Sequence, residues 1–304
     1  FQKEYEHSFN GYGISRKCWE ASVNEFLNYM ARRANSQKQF SVDTLKSTWS
    51  FIRQFILNEN VTLPLIDLVI TTRCTLRCKK CFHLIPTYAK DGRSPFDVEL
   101  QTILTDLDKL LSSVDFIVKI NILGGEPFLY RHLDELLTRL LAYENVGCFN
   151  IVTNGTIIPA DSICRLLQNE KFYVFINDYG VSPNISKLEE KLDEFGIMYH
   201  TDSDRHWYDF GDLKKKALPE SELKENFANC GYAVCKSLME GELHTCAVHK
   251  HGQRNGLIPK SNDALRIHEH SEDELRKKII EFYNAEYFDV CDYCNAPIRY
   301  KSPM

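Results

Sequence analysis

No apolar run in the chain approaches the roughly 18 residues needed to cross a bilayer. LPLIDLVI (63–70) is among the longest, and the opening FQKEYEHSFN lacks the apolar segment of a secretory signal. Positive charge is not in excess, the formal net charge being -5, and no basic stripe interleaved with aromatics offers itself to a polyphosphate backbone. Internal repeats of solenoid length and low-complexity tracts are also missing. These absences predict a cytoplasmic globular protein with neither nucleic acid nor membrane among its partners. Its 304 residues, 43% of them hydrophobic, suffice for one large or two modest cores. Cysteine is what the chain does have. Eleven is an odd number, and their uneven clustering argues for metal ligands in a reducing compartment rather than a disulfide framework.

Residues 1–60 read as a helical extension, because SRKCWEASVNEFLNYMARR repeats apolar residues at three- and four-residue spacing; Cys18 there reads as packing. From residue 63 strands and helices alternate. LIDLVIT (65–71), FIVKINIL (116–123), CFNIVT (148–153), KFYVFIN (171–177) and GIMYHTD (196–202) read as strands. Between them 96–114, 132–144, 160–170 and 185–195 read as amphipathic helices. Such units build a parallel sheet covered by helices. After about residue 204 the rhythm stops and five cysteines follow, which places a domain boundary there and divides the chain into 1–60, 61–204 and 205–304.

The stretch CTLRCKKC (74–81) holds three thiols, Cys74, Cys78 and Cys81, in the loop beyond the first strand, where parallel α/β proteins assemble their active sites. What it lacks is a fourth ligand. A structural zinc site takes four protein ligands, and His83 is the one local residue that could complete a set. The C-x3-C-x2-C spacing resembles the radical S-adenosylmethionine (radical SAM) superfamily, whose cysteines hold three irons of a 4Fe-4S cluster and leave the fourth iron to S-adenosylmethionine. Thiolates are soft donors suited to iron-sulfide cores.

A second element of the resemblance is LGGEPFL (123–129), at the end of the second strand as the family's GGE(P) segment is. The resemblance implies that Gly124, Gly125, Glu126 and Pro127 lie along the methionine amino group, the glycines allowing close backbone approach and Glu126 supplying acceptors; an ordinary strand-to-helix turn is the alternative. It likewise implies ribose, carboxylate and adenine contacts from Thr153 and Asn154 in VTNGT and from Asn177 in INDYG, with simple turn chemistry as the other reading. One departure is Lys80, where relatives carry an aromatic near the adenine. Phe82 is the candidate to replace it. His83, Tyr88, His206 and Tyr208 are further candidates to line a pocket.

The tail carries CGYAVCKSLMEGELHTC (230–246), readable as a hairpin turning at Glu240-Gly241, and CDYC (291–294). Together they resemble the SPASM/twitch extension of the same superfamily, which implies an auxiliary 4Fe-4S cluster on four of Cys230, Cys235, Cys246, Cys291 and Cys294. A zinc ribbon built from them is the alternative. Cys230 matches the spacing; Cys235 is a competing ligand, a spare, or a hydrogen-atom donor of the kind radical epimerases use. Cys148 and Cys164 read as core.

The expected fold is α/β, a partial (β/α)6 barrel closed by a small twitch/SPASM-like domain. The resemblance implies two 4Fe-4S clusters, S-adenosylmethionine, and a low-potential electron donor such as flavodoxin or ferredoxin. It also implies cleavage to a 5'-deoxyadenosyl radical that takes hydrogen from an unactivated C-H bond. The substrate reading is a small polar molecule, sugar- or aminocyclitol-like, oxidised with help from the auxiliary cluster. Peptide modification or epimerisation is the alternative, and a non-enzymatic iron-sulfur or zinc scaffold the third.

Overall fold

A computed structural model describes residue 24 and residues 61–90, 93–203, 206–295 and 298–301. The helical extension read over residues 1–60, with Cys18, lies outside the described residues apart from Asn24. Strands β1 (Thr62–Thr71), β2 (Phe116–Gly124), β3 (Val146–Thr153), β4 (Phe172–Asn177) and β5 (Tyr199–Asp202) alternate with helices α1 (Leu100–Ser112), α2 (Leu133–Leu140), α3 (Asp161–Leu167) and α4 (Ile185–Glu194). Each neighbouring pair from β1 to β5 is parallel. The periodicities explain this arrangement. On α1 the buried residues Ile103, Leu104, Leu107, Leu110 and Leu111 fall at three- and four-residue intervals, one helical stripe whose burial is worth roughly 1.5–3 kcal/mol per side chain before entropy is counted.

Beyond residue 204 come β6 (His206–Asp209), α5 (Glu220–Asn229), β7 (Cys235–Met239), β8 (Glu242–His244), α6 (Ala247–Arg254), β9 (Leu265–Arg266), α7 (Glu272–Asn284) and β10 (Ile298–Lys301). The sheet order is β5-β4-β3-β2-β1-β7-β8-β9, while β6 and β10 form a separate antiparallel pair. The sixth parallel strand is therefore β7, which runs alongside β1 on the flank away from β2. The expected β7–β8 hairpin is present and antiparallel. Its turn residues Glu240 and Gly241 both take positive φ, 52° and 74°, the pairing that matches strand twist in a tight hairpin. Buried Asp106 on α1 holds that turn, accepting from the Gly241 amide at 2.7 Å and contacting His268 Nε2 at 2.7 Å. One apolar core runs through α1–α4, the helix-facing side of the sheet and α7, from Val61 to Tyr283.

The opposite side of the sheet is different in kind. Because side chains alternate along a strand, Ile66, Leu68 and Ile70 of β1 enter the core while Leu65 and Asp67 face a cavity on the other side.

Candidate functional site

That cavity, about 540 Å³, lies at the carboxyl ends of the parallel strands. Cys74, Cys78 and Cys81, Gly124 and Gly125, Asn154, Asn177 and Phe82 all line it, so most of the residues singled out from the sequence converge on one space. Burial raises all three thiol pKa values, Cys78 to about 12 and Cys81 to about 11. The charges of Cys81 and Cys74 add to the effect at Cys78, as expected of three thiols gathered around one spot. Cys74 Sγ also accepts from the Leu76 amide at 3.4 Å and from Asn154 Nδ2 at 3.6 Å.

The glycine pair joins the two loops. The Gly125 amide donates to the Thr71 carbonyl and the Glu126 amide to the Arg73 carbonyl, both at 2.8 Å. A Cβ on Gly124 would stand 2.0 Å from the Thr71 carbonyl oxygen, and one on Gly125 2.0 Å from that of Arg73. Gly124 also has φ +146°, a conformation side-chain-bearing residues rarely adopt. The cysteine loop is thereby held against the end of β2.

Glu126 is turned inward. Fully buried, its Oε1 accepts from Thr153 Oγ1 at 2.8 Å and the Phe128 amide at 3.2 Å, and its Oε2 from the Asn154 amide at 2.9 Å. Burial raises its pKa to about 7 against those donors. Its carboxylate and Thr153 thus tie β2 to β3, and buried Pro127 opens the short 3-10 turn that follows. Lys80 forms an ion pair with Asp209 on β6 at 2.8 Å. Phe82 stacks on Tyr232 with ring centroids 4.3 Å apart and packs on Phe210 at 4.8 Å, forming part of the wall between this cavity and a second one. His83 and Tyr208 line the larger cavity. Tyr88 lies behind it, 2.7 Å from His251 Nδ1, and the side chain of His206 is outside the described residues.

The second cavity, about 50 Å³, is lined by Cys230, Cys246, Cys291 and Cys294 together with Phe82, Tyr232 and other apolar groups. Burial pushes the Cys291 thiol up to about 12 and raises Cys246, with Cys294 and Cys230 contributing to both. Cys235 is not in this wall. It lines the larger cavity and donates its S-H to Asp67 Oδ2 at 3.0 Å, and burial, then Asp67, raises its pKa well above that of a free thiol. Cys148 and Cys164 are fully buried, as the sequence reading has them.

Among the described residues no three His, Cys, Asp or Glu side chains close on one point tightly enough for a single ion. A four-iron cluster takes thiolates arrayed around a larger body, and three soft donors beside an open cavity suit that chemistry. Other groups on the cavity wall went unnoticed in the sequence reading: Tyr179, whose hydroxyl is held protonated by burial and by the three nearby thiols, and the floor residues Asp67, Lys119, Asn121 and Asn150. Their signal was one polar residue interrupting otherwise apolar strands, as in LIDLVIT and CFNIVT.

The family model described as the radical SAM superfamily matches residues 68–194. The chain is 33% identical over 100 residues to the GTP 3',8-cyclase of Stenotrophomonas maltophilia strain K279a, covering 32% of this chain and 28% of that protein. It is 30% identical over 101 residues to the enzyme of that name from Helicobacter pylori strain HPAG1, covering 33% and 30%. The matches thus span less than a third of these relatives' length. Similar solved structures include BtrN in complex with AdoMet and 2-DOIA, at TM-score 0.47 and 17% identity over 77% of this chain and 93% of that one. Streptococcus suis SuiB bound to S-adenosylmethionine aligns at TM-score 0.38 and 19% identity over 59% and 44%. The three thiols and the glycine pair lie inside the segment, residues 68–194, that matches the radical SAM superfamily.

Proposed function

We propose that this radical SAM enzyme acts on a small polar molecule, hydroxylated or aminated, held in the cavity between the three-thiol loop and the polar floor of the sheet. The observation that carries the reading is the polar floor, where Asp67, Asn121 and Asn150 line the same cavity as the three thiols. Cys74, Cys78 and Cys81 would hold a 4Fe-4S cluster, with Gly124, Gly125, Asn154 and Asn177 positioned to contact S-adenosylmethionine, and that assembly supplies hydrogen-atom abstraction from an unactivated C-H bond. The chain's own task is to orient the substrate and exclude stray hydrogen donors. We assign Cys230, Cys246, Cys291 and Cys294 to an auxiliary cluster in a twitch-like region from residue 205 onward.

The position of Cys235 favours epimerisation over oxidation. Its thiol faces the cavity and is kept as S-H, so it can return a hydrogen atom to a substrate carbon from which one has been taken. One electron from the low-potential donor the reaction already requires, and one proton from solvent, would then restore the thiol. Anaerobic product analysis by mass spectrometry tests this. Epimerisation leaves the mass unchanged in ordinary water and adds one deuterium at the reacting carbon in deuterated water. A product lighter by two hydrogens overturns it in favour of oxidation, and a modified peptide as the only product overturns the small-molecule reading.

A further inference from the structure

Across the cavity floor, three polar side chains stand in register on adjacent strands: Asp67 opposite Asn121, and Asn121 opposite Asn150. They form a chain. Asn121 Nδ2 donates to Asp67 Oδ1 at 2.8 Å, and Asn150 Nδ2 donates to Asn121 Oδ1 at 2.8 Å. The other Asp67 oxygen receives the Cys235 thiol. Asp67 and Asn150 are each only 3% exposed, and among the described residues Asn150 Oδ1 is buried without a hydrogen-bond partner.

The carboxylate dictates the polarity of the row. Both Asp67 oxygens accept, Oδ1 from Asn121 and Oδ2 from Cys235, so Asn121 turns its NH2 toward Asp67 and its oxygen toward Asn150. Asn150 must then spend its NH2 on Asn121, which leaves an oxygen as the terminal atom. Buried acceptors in folded proteins are nearly always paired, and this one belongs to a residue lining the cavity that meets the three-thiol loop. Lys119, on the same face of β2 one inward-facing position earlier, also lines the cavity, so the floor carries an amine as well as the Asp67 carboxyl.

Resting on the small-molecule reading above, we propose that the Asp67–Asn121–Asn150 row is a substrate-reading site: Asn150 Oδ1, closed off where it now lies, is uncovered by a turn of its side chain toward the cavity and accepts a hydrogen bond from a hydroxyl or ammonium group of the substrate. The row selects donors. A ligand presenting only acceptors at that point, such as an ether or carboxylate, meets oxygen with oxygen. Because the same Asp67 also holds Cys235, the row fixes the substrate relative to the thiol through a single carboxylate.

The experiment uses the full chain with its clusters reconstituted anaerobically in the presence of S-adenosylmethionine, and isothermal titration calorimetry with two probes, scyllo-inositol and its hexa-O-methyl ether. The polyol should bind about five- to tenfold tighter than the ether, the span of one hydrogen bond to a neutral acceptor. In Asn121→Leu the Asn150 amide is released to present either face, and the preference for the polyol should fall toward unity. Any penalty from the ether's bulk is common to both proteins and cancels in that ratio. Asn150→Leu should lose the preference as well, with thermal melting as the check that each variant is folded. If one variant fails to fold, the other carries the comparison. Equal binding of the two probes to the unaltered protein, or a preference that survives in both folded variants, overturns the row as a reading site while leaving the small-molecule reading intact. If the unaltered protein cleaves S-adenosylmethionine yet binds neither probe, the row is overturned as a reader of hydroxyl donors, and the small-molecule reading is left to the product analysis above.

Discussion

The two sets of thiols are built in opposite ways. Cys74, Cys78 and Cys81 come from eight consecutive residues at the end of one strand and open onto a space large enough for a substrate. Cys230, Cys246, Cys291 and Cys294 are drawn from a helix end, the N-terminal edge of α6 and a 3-10 turn, and close around a space a tenth as large with aromatic rings in its wall. A contiguous loop leaves one side of its group free. A set gathered from distant segments encloses its group and, in return, ties those segments together. With the two clusters proposed above in place, the first arrangement would suit turnover and the second electron storage and cohesion of the tail.

The sharpest way to break that contrast is to remove one thiol from each set. Cys78→Ala should abolish 5'-deoxyadenosine formation, measured by chromatography, while leaving the tail's iron bound, since three ligands cannot spare one. Wild-type cleavage by this variant would show that the loop is not the reactive site. Cys246→Ala should reduce iron from about eight to about four per chain, the arithmetic of two four-iron clusters. Cys235→Ala should keep about eight. Loss of iron on removing Cys235 would return it to the ligand set.

A pair of glycines extends the comparison to the backbone. Gly125→Ala forces a Cβ against the Arg73 carbonyl and should cost about 3 kcal/mol in denaturant unfolding, because neither backbone segment can yield. Gly231, next to Cys230, has nothing within 4 Å of an added Cβ, and Gly231→Ala should stay within about 0.5 kcal/mol. Equal costs would mean that the two loops are equally tolerant. The smallest effect is expected at Lys236, whose ammonium donates to the Ala233 carbonyl at 2.9 Å among the rings of Phe227, Phe282, Tyr283 and Phe288. Its charge favours the thiolate of Cys291. Lys236→Met should therefore make the reduction potential of the tail's cluster more negative in an anaerobic redox titration, with that of the first cluster unmoved.

Local pattern carried most of the barrel. The strands read at 116–123 and 171–177 and the helix read at 185–195 match Phe116–Gly124, Phe172–Asn177 and Ile185–Glu194 closely, because each is a single period of two or 3.6 that tertiary contacts reinforce. The hairpin at Glu240-Gly241 was legible for the same reason. Partner choice over long range was not. Nothing in CKSL announces that it will pair with LIDL, 170 positions earlier, on the flank away from β2. Nor does spacing tell which way a side chain turns. Glu126 reads as an acceptor for a ligand, yet the amides of Phe128 and Asn154 and the hydroxyl of Thr153 take its oxygens. Cys230 and Cys235 are equally cysteine on paper, and their separation into two cavities depends on the strand that starts at Cys235.

The pairing of β7 with β1 also bears on synthesis. TLPLIDLVIT is buried along its whole length, and one of its two edges is covered only by residues 235–239. While the ribosome is still making the middle of the chain, that edge is an open, apolar template of the kind that recruits other strands. The protein should therefore be most prone to aggregate as a nascent chain stalled between residues 204 and 235, and a fragment ending there should be insoluble where one extended through residue 244 is not.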